Sequence, residues 1–325
     1  MQEKKKVVVT HPIPEAGIAA LYEKYDVIYP KGRAAYTEEE LAAILPDCEA
    51  VLACGPMPHT LIEKAAKLRI ISNYGAGYDR VDVDAADEHG VIVTNIPDST
   101  TESTAELSFA LLIDVYRRIA ELDAMLRSDA PENAFGMGKH MAHNLAGSTL
   151  GIVGMGRIGR RLADMARAFG MNILYHNRHR LDESLEKGAR FCLLDELLAA
   201  SDAVSVNCPL TPETRGLIGA REIALMKPTA VIINTSRGGT IDYDALIDAL
   251  ENGRLCGAGL DVFPDEPHVP ARLLALRSVV LTPHVGTNTH EARKAMAEAA
   301  SERIIDVLEG RTPKNIVNRR LKPRV

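Results

Sequence analysis

The sequence contains no tryptophan, and aromatic residues make up only 4% of its 325 residues. Few side chains are therefore available to stack on nucleic-acid bases. Basic residues are outnumbered, with 38 Lys and Arg against 44 Asp and Glu and a formal net charge of -6. This balance argues against nucleic acid or an anionic membrane as the main partner. No apolar run approaches the length of a membrane-spanning helix, so we expect no membrane association.

Cysteine is scarce, and its spacing suggests no pairing. The five cysteines include no C-x-x-C pair, so the pattern predicts neither a disulfide framework nor a zinc site. The ten histidines are scattered, without the H-E-x-x-H spacing of a metal-binding helix. The polar, Lys-rich start is not followed by a secretory apolar segment. We expect a cytoplasmic protein with no metal site and with reduced thiols at Cys48, Cys54, Cys192, Cys208 and Cys256.

Short β-branched runs alternate with stretches of helical periodicity in two blocks, one before residue 101 and one from residue 149 onward. This alternation predicts parallel sheets with helices on both faces. Between the blocks, apolar spacing predicts one long helix over about Thr101–Leu126. A last helix, about Thr289–Glu309, follows a completed second sheet, so we expect it to return to the first domain. The predicted fold class is α/β, with two doubly wound parallel-sheet domains: a discontinuous one at 1–101 and 287–325, and an inserted one at 102–286.

A glycine-rich turn, GIVGMGRIG, follows the apolar start of the second block. In a strand–turn–helix context, the first glycine makes a tight turn, the second lets backbone approach a pyrophosphate, and the third lets helix pack on strand. The amides at the helix start then bind the anion. The turn therefore predicts a dinucleotide site whose contacts are Gly154, Met155, Gly156, Arg157, Ile158 and Gly159.

The acidic residue expected of an NAD site is missing. Such an acid lies about 20 residues beyond the glycines, at the end of the second strand. Here the slot holds Asn177, followed by Arg178, His179 and Arg180. Asparagine does not repel a 2′-phosphate, and the neighbouring cations attract one. The sequence therefore favours NADP(H), while NAD(H) stays possible if the arginines lie on a solvated loop.

Three charged side chains follow three successive apolar runs late in the chain. They are Arg237 in VIINTSRGG, Glu266 in GLDVFPDEP and His284 in VVLTPHVG. A cation, a carboxylate and an imidazole at strand ends beside a dinucleotide turn are what hydride transfer to a carbonyl acid requires. We expect these three residues to be catalytic.

Several longer motifs occur in a fixed order along nearly the whole chain: SNYGAGYDRVDVDAADEHGVIVTN, GSTLGIVGMGRIG, NCPLTPETRGLIG, MKPTAVIINTSRGG, GAGLDVFPDEP and LTPHVGTNT. In these motifs the sequence resembles the D-isomer-specific 2-hydroxyacid dehydrogenase family. The HNR segment makes it most similar to the NADP-dependent glyoxylate/hydroxypyruvate reductase branch. The resemblance implies a Rossmann-type cofactor domain inserted in a flavodoxin-like substrate domain, and a homodimer.

The resemblance also implies roles for the three charged residues. Arg237 matches the arginine that binds the substrate carboxylate and 2-oxo oxygen, which a planar guanidinium fork satisfies together. His284 matches the general acid/base, and Glu266 matches its carboxylate partner. A neighbouring carboxylate favours the protonated imidazolium that donates to the forming alkoxide.

Further positions match the family's binding loops. The small residues of NYGAGYD match a loop whose backbone N–H groups hold the substrate carboxylate, and CGPMP matches the loop bordering the substrate side chain. Asp261 matches the acid that binds the nicotinamide amide. The implied substrate contacts are Cys54, Gly55, Gly75, Ala76 and Gly77; the remaining cofactor contacts are Thr104, Cys208, Pro209, Thr214, Thr235, Ser236, Asp261, His284 and Gly286.

The expected function is NADPH-dependent reduction of a small 2-oxo acid, hydroxypyruvate or glyoxylate, to its D-2-hydroxy acid. One alternative is an NAD-dependent enzyme acting on a bulkier 2-oxo acid; another is a dinucleotide-sensing protein similar to the corepressors related to this family. Formate oxidation is disfavoured because that branch carries Gln where this chain has Glu266. The segment FGMGKHMAH, Phe135–His143, stays open between a place in the active site and a dimer arm.

Overall fold

The computed structural model describes residues 4–128 and 131–320, and the chain forms two compact units. The first unit runs up to Thr100 and resumes at Thr287, and the second unit is Thr101–Gly286. Each unit is built on one parallel sheet. The expected fold class, two doubly wound parallel-sheet domains, is confirmed.

The strands are short and rich in β-branched residues, as expected of strands buried on both faces. Along the described chain they are β1 (Lys6–Val9), β2 (Asp26–Ile28), β3 (Ala50–Ala53), β4 (Ile70–Asn73), β5 (Ile92–Thr94), β6 (Thr149–Val153), β7 (Asn172–His176), β8 (Arg190–Phe191), β9 (Ala203–Val206), β10 (Val231–Asn234), β11 (Gly257–Leu260) and β12 (Val279–Leu281).

The helices fill the intervals between strands. They are α1 (Ala19–Lys24), α2 (Glu38–Ile44), α3 (His59–Ile62), α4 (Val83–Glu88), α5 (Thr101–Arg117), α6 (Ile119–Leu126), α7 (Arg157–Ala168), α8 (Glu183–Glu186), α9 (Leu194–Ala200), α10 (Ala220–Leu225), α11 (Tyr243–Glu251), α12 (Ala271–Leu274) and α13 (His290–Leu308). Short 3-10 turns occur at Glu15–Ile18, Leu45–Asp47, Asp98–Thr100, Pro131–Ala134 and Gly238–Thr240.

In the first unit the strand order is β2-β1-β3-β4-β5. Successive side chains of a strand point to opposite faces, and β1 shows this: Val7 and Val9 pack with α13, whereas Val8 packs on the other face with α3 and α4. The last helix α13 is capped by Thr289, whose side chain accepts a hydrogen bond from the Ala292 amide at 3.1 Å. Both faces of this sheet are therefore covered by helices.

In the second unit the strand order is β12-β11-β10-β9-β6-β7-β8. Helices α5 and α7 cover one face, and α9 and α11 cover the other. The glycines of β11 let α5 lie close to the sheet, because a Cβ at Gly259 would stand 2.9 Å from the Leu111 Cβ atom. In such a sheet the carboxyl ends of the strands share one edge, which is where ligands bind in this architecture.

The predicted single helix over Thr101–Leu126 is wrong. The structure breaks it at Arg118, which adopts left-handed backbone angles (φ 57°, ψ 36°) between α5 and α6. Two local contacts hold the break: Asp114 accepts a hydrogen bond from the Ala120 amide at 2.7 Å, and Arg118 forms an ion pair with Glu121. The prediction failed because the segment YRRIA has no glycine or proline to signal a break.

Within the described residues, no helix is both long and apolar enough to cross a membrane. The same part of the chain contains no group of three or more His, Cys, Asp or Glu placed to hold a metal ion.

Candidate active site

The three charged residues predicted to be catalytic follow three neighbouring strands of the second unit. Arg237 lies three residues after β10, Glu266 follows β11 and His284 follows β12. Strands β10, β11 and β12 are adjacent and parallel, so these residues lie at one edge of the sheet, the carboxyl edge. Hydride-transfer chemistry needs such a convergence of a cation with an acid–base pair.

His284 and Glu266 are directly joined. The His284 Nδ1 atom lies 2.7 Å from Glu266 Oε2, and Glu266 Oε1 accepts a hydrogen bond from the Phe263 amide at 3.0 Å. The carboxylate is thus held on one side while it binds the imidazole on the other. Among the described residues nothing pairs with His284 Nε2, and 47% of the side chain is exposed. That nitrogen is therefore free to exchange a proton with a ligand.

The backbone at His284 is strained, and hydrogen bonds hold it in that conformation. Its φ of 54° lies in the left-handed region, which residues other than glycine rarely adopt. The His284 amide donates to the Asp261 carbonyl at 2.8 Å and to the Thr282 carbonyl at 3.0 Å. Strained backbone of this kind persists where the surroundings over-determine it, and it is frequent at active sites.

Asp261 provides those surroundings. Its side chain is 1% exposed and accepts hydrogen bonds from the Val285 amide at 2.8 Å, the Gly286 amide at 2.9 Å and the Thr282 hydroxyl at 2.6 Å. The carboxylate therefore ties the end of β11 to the turn that carries His284. The family resemblance implied a contact from Asp261 to the nicotinamide amide. In the structure its carboxylate already accepts these three hydrogen bonds from its own chain.

Arg237 is positioned by the turn after β10. It is half-buried, and its Nη1 atom donates to the Ser236 carbonyl at 2.8 Å. The next residue, Gly238, lies so close to the segment after β11 that a Cβ there would stand 2.0 Å from the Phe263 carbonyl carbon. Only glycine permits this approach, which brings the Arg237 turn beside the segment that carries Glu266.

A buried asparagine organises the same turn. Asn234, fully buried at the end of β10, accepts from the Ser236 amide at 3.0 Å and from the Ser236 hydroxyl at 2.7 Å. Its amide group donates to the Arg237 carbonyl at 3.1 Å. Sequence reasoning missed Asn234; the only available signal was a polar residue ending an apolar strand.

The glycine-rich turn fits a dinucleotide. Gly154 has φ 98°, and a Cβ there would lie 2.7 Å from the Cys208 amide nitrogen; at Gly159 it would lie 2.5 Å from the Gly154 carbonyl oxygen. Around Gly156, by contrast, a Cβ would meet no atom within 4 Å, and α7 starts there without a side-chain cap. The open position and the exposed amides suit a bound pyrophosphate.

The loop after β7 contains the residues expected to choose between cofactors. Asn177 Oδ1 accepts a hydrogen bond from the Met155 amide at 2.7 Å, so it braces the glycine turn. Arg178 is exposed, and no group in the described chain pairs with it. Arg180 is engaged by Glu186 through two hydrogen bonds of 2.8 and 2.9 Å. Of the two arginines, only Arg178 is free to bind an anion.

Several of the other predicted cofactor positions make hydrogen bonds within the second unit. The Thr104 hydroxyl lies 3.4 Å from the Gly286 carbonyl, and the Thr235 hydroxyl lies 2.6 Å from that of Ser108. The Thr214 hydroxyl donates to the Pro209 carbonyl at 2.6 Å. Burial raises the pKa of the Cys208 thiol to about 11, so this cysteine is a packing residue beside Gly154.

In the first unit, the loop after β4 presents free amides. Asn73 donates to the carbonyls of Gly75 at 3.1 Å and Gly77 at 2.9 Å, and Asn95 donates to that of Ala76 at 2.8 Å. In the described chain no acceptor pairs with the amides of Ala76 and Gly77. With its carbonyls tied back, the loop offers N–H groups outward, which is the arrangement of an anion-binding nest.

The loop after β3 lies in the same unit and is packed against a histidine that sequence reasoning missed. A Cβ at Gly55 would lie 2.8 Å from the His11 Cε1 atom, and Thr10 accepts a hydrogen bond from the Cys54 amide at 2.9 Å. Desolvation raises the pKa of the Cys54 thiol to about 12, so it stays protonated at neutral pH. This loop contains no reactive thiolate.

The segment Phe135–His143 lies in the second unit and presents large apolar side chains to solvent, including Phe135, Met137 and Met141. His140 lies 3.0 Å from the Ala134 carbonyl, and His143 packs edge-on against Tyr116. These histidine contacts are structural.

Comparison with known proteins gives consistent similarities. The profile described as D-isomer specific 2-hydroxyacid dehydrogenase, NAD binding domain, matches residues 109–286. The glyoxylate reductase of Thermococcus litoralis is 43% identical over 323 residues and covers 97% of both chains. Two solved structures are also similar. A glyoxylate reductase from Paecilomyes thermophila has 34% identity and a TM-score of 0.88, covering 98% of this chain and 99% of that one. The NADPH-dependent glyoxylate/hydroxypyruvate reductase of Sinorhizobium meliloti, in complex with NADP and malonate, has 31% identity and a TM-score of 0.89, covering 99% of both chains.

Proposed function

We propose that this chain, which belongs to the D-isomer specific 2-hydroxyacid dehydrogenase family, reduces glyoxylate or hydroxypyruvate to the D-2-hydroxy acid with NADPH. The family resemblance of its motifs is confirmed, and the chain is an NAD(P)-dependent oxidoreductase that acts on a 2-oxo acid. The observation that carries the proposed reduction is the His284–Glu266 pair, which leaves Nε2 as the free ring nitrogen beside the Arg237 turn.

In the proposed mechanism, the glycine turn Gly154–Gly159 would hold the dinucleotide, and NADPH, when bound, would supply the hydride for the substrate C2 atom. Arg237 binds the carboxylate and the 2-oxo oxygen with its planar fork, and it stabilises the negative charge that develops on that oxygen. His284 donates a proton from Nε2 to the same oxygen. Glu266 binds Nδ1 and so fixes it as the nitrogen that faces away from the substrate.

We assign the free amides of Ala76 and Gly77 to the substrate carboxylate. Backbone amides bind a carboxylate without a charged side chain, so the affinity they add is modest and independent of pH. Small substrates suit this arrangement, since the carboxylate is most of the molecule and gives most of the available contacts. The loop Cys54–Pro58 then borders the side chain of the substrate, the group attached to C2.

The preference for NADPH rests on Asn177 and Arg178. Asn177 occupies the slot of the acid that would bind a ribose hydroxyl, and its carboxamide is engaged by Met155. Arg178 is the free cation of the loop. A hydrogen bond to a charged group contributes roughly 1.5–3 kcal/mol, so Arg178 should favour the 2′-phosphate by roughly 10- to 150-fold.

We also propose a homodimer in which the second unit supplies the interface. Five large apolar side chains between residues 119 and 141 of this unit are exposed: Ile119, Leu126, Phe135, Met137 and Met141. An excess of large exposed apolar side chains is typical of interaction surfaces. Light scattering of the purified protein tests this, with a monomer at micromolar concentration as the contrary result.

A reducing compartment, the cytoplasm, suits the five free cysteines. Burial raises the pKa of Cys48 to about 12, and that of Cys54 is equally high through desolvation. Thiols of this kind are poor nucleophiles and need no disulfide partner.

Initial rates test the function. NADPH and NADH are each combined with glyoxylate, hydroxypyruvate, pyruvate, 2-oxogluconate and phenylpyruvate. The proposal predicts the highest kcat/KM for NADPH with glyoxylate or hydroxypyruvate. Rates with NADH equal to or above those with NADPH would contradict the cofactor assignment, and preference for the bulky acids would contradict the substrate assignment.

A further inference from the structure

A buried carboxylate lies beside the cofactor loop and belongs to none of the sites above. Glu186, the last residue of α8, is only 4% exposed. It accepts two hydrogen bonds from Arg180, at 2.8 and 2.9 Å, and one from the Tyr175 hydroxyl at 2.5 Å. The paired Arg180 and the Tyr175 hydroxyl lower the pKa of Glu186 to about 2, so it is ionised throughout the neutral range.

This acid closes the loop that follows β7. Tyr175, within β7 and fully buried, bonds Glu186 and also accepts a hydrogen bond from the Leu181 amide at 3.0 Å. Arg167 of α7 donates to the Glu186 carbonyl at 2.8 Å. The segment 177–181 therefore leaves the sheet after β7 and is fastened at its far end, where Tyr175 binds the Leu181 amide and Glu186 binds Arg180.

The fastening gives the two arginines of the loop different roles. Arg180 is held at both Nε and Nη2 by one carboxylate, so its charge is neutralised locally. Arg178, two residues earlier, keeps no partner in the described chain. A loop fixed at Arg180 holds the backbone of Arg178 in one place, which lowers the entropy cost of binding a phosphate there.

From this geometry we infer that Glu186 is a positioning residue for cofactor selection: through Arg180 and Tyr175 it fixes the loop so that Arg178 meets the 2′-phosphate of NADPH. The inference rests on the proposed function, specifically on NADPH binding at Arg178. It makes the preference for NADPH a property of a fastened loop as well as of one cation.

The test compares Glu186→Gln with a matched control, Glu196→Gln. Glu196 forms an ion pair at 2.8 Å with Arg190 of β8, but both members of this pair are exposed. The measurement is the ratio of kcat/KM for NADPH to that for NADH, together with the Kd of 2′,5′-ADP, which contains the phosphate, and of 5′-AMP, which lacks it.

Glu186→Gln should lower the NADPH/NADH ratio of kcat/KM by about 5- to 10-fold, which is part of the contribution of one charged hydrogen bond. It should also weaken the binding of 2′,5′-ADP more than that of 5′-AMP. Glu196→Gln should leave the ratio unchanged. A purely structural role for Glu186 would lower the melting temperature or both efficiencies in parallel with no change of ratio, and that result would overturn the inference.

Two more variants keep the test decisive. Tyr175→Phe retains the ion pair but loses the bond to the Leu181 amide, so it should lower the ratio in the same direction but less; it decides the question if Glu186→Gln does not fold. Arg178→Ala should bring the ratio close to that of an enzyme without preference. If Arg178→Ala lowers the ratio and the Glu186 and Tyr175 variants do not, only the positioning role fails. If Arg178→Ala leaves the ratio unchanged, the proposed phosphate site fails, and the inference with it.

Discussion

The two units place polar groups at the carboxyl edges of their sheets by different means. In the first unit the groups that we propose for substrate binding are backbone amides, those of Ala76 and Gly77, and Asn73 and Asn95 hold the neighbouring carbonyls. In the second unit they are the side chains of Arg237, Glu266 and His284. Backbone donors can bind but cannot change protonation state, whereas an imidazole can. In the proposed function the first edge therefore binds the substrate, and the second edge also takes part in the chemistry.

This comparison predicts different kinetic consequences for the two edges. Loss of a group used only in the transition state lowers kcat, whereas loss of uniform binding raises KM.

Arg237→Ala should have the largest effect. It removes the cation from both the substrate carboxylate and the developing oxyanion, so kcat/KM for glyoxylate should fall by about 10³-fold or more. Arg215→Ala, which alters another arginine of the second unit outside the proposed chemistry, serves as the control. A fall of less than about tenfold at Arg237 would mean that the chemistry does not depend on this edge.

Asp261→Ala should cause the largest loss of stability. The substitution leaves the Val285 and Gly286 amides without their acceptor. At roughly 1–3 kcal/mol for each buried donor, the free energy of unfolding should fall by about 2–6 kcal/mol. Denaturant unfolding measures it, and Asp265→Ala, an exposed site with a side chain 91% accessible, is the control. Equal stability of the two variants would remove Asp261 as the support of the His284 turn.

The glycine turn offers a contrast within the second unit. Gly154→Ala meets the Cys208 amide and keeps a positive φ, so it should destabilise the fold. Gly156→Ala meets no protein atom, so the protein should fold, but the added methyl group should weaken NADPH by about 10- to 100-fold. Thermal melting and cofactor titration measure the two effects. Unchanged NADPH affinity in Gly156→Ala would place the pyrophosphate elsewhere.

Asn73→Ala should give the smallest effect and the clearest signature of a binding edge. It frees the Gly77 carbonyl and leaves the Gly75 carbonyl with the Ile96 amide alone, so the neighbouring amides lose part of their fixed direction. The KM for glyoxylate should rise by about 3- to 10-fold with little change in kcat. A fall in kcat with constant KM would show that the first edge contributes to chemistry, and it would contradict the proposed difference between the two edges.

Sequence alone predicts the parts of this molecule that depend on local pattern. The strand runs, the glycine turn and the charged residues after β10, β11 and β12 are all short-range signals, and the fold class and family they indicated are confirmed. The break at Arg118 carries no such signal, because Asp114 and Glu121 hold it with side chains whose direction a sequence does not specify.

Contacts between distant residues were also beyond the sequence. From the sequence, both arginines of the loop after β7 were expected to attract a phosphate. In the structure Arg180 is paired with Glu186, and of the two arginines only Arg178 has no partner in the described chain. Asn234 and His11 act through partners that the fold, not the pattern, brings near. Polar residues that orient others are hard to identify from one sequence because their importance lies in geometry.

We propose that His284, through the Nε2 atom left free by Glu266, transfers the proton during reduction. This is tested by stopped-flow oxidation of NADPH by glyoxylate in His284→Gln, with the exposed His290→Gln as control and NADPH affinity measured in both. We expect kcat to fall by about 10²- to 10⁴-fold in His284→Gln alone while NADPH still binds. A kcat within about threefold of the unaltered enzyme would contradict it.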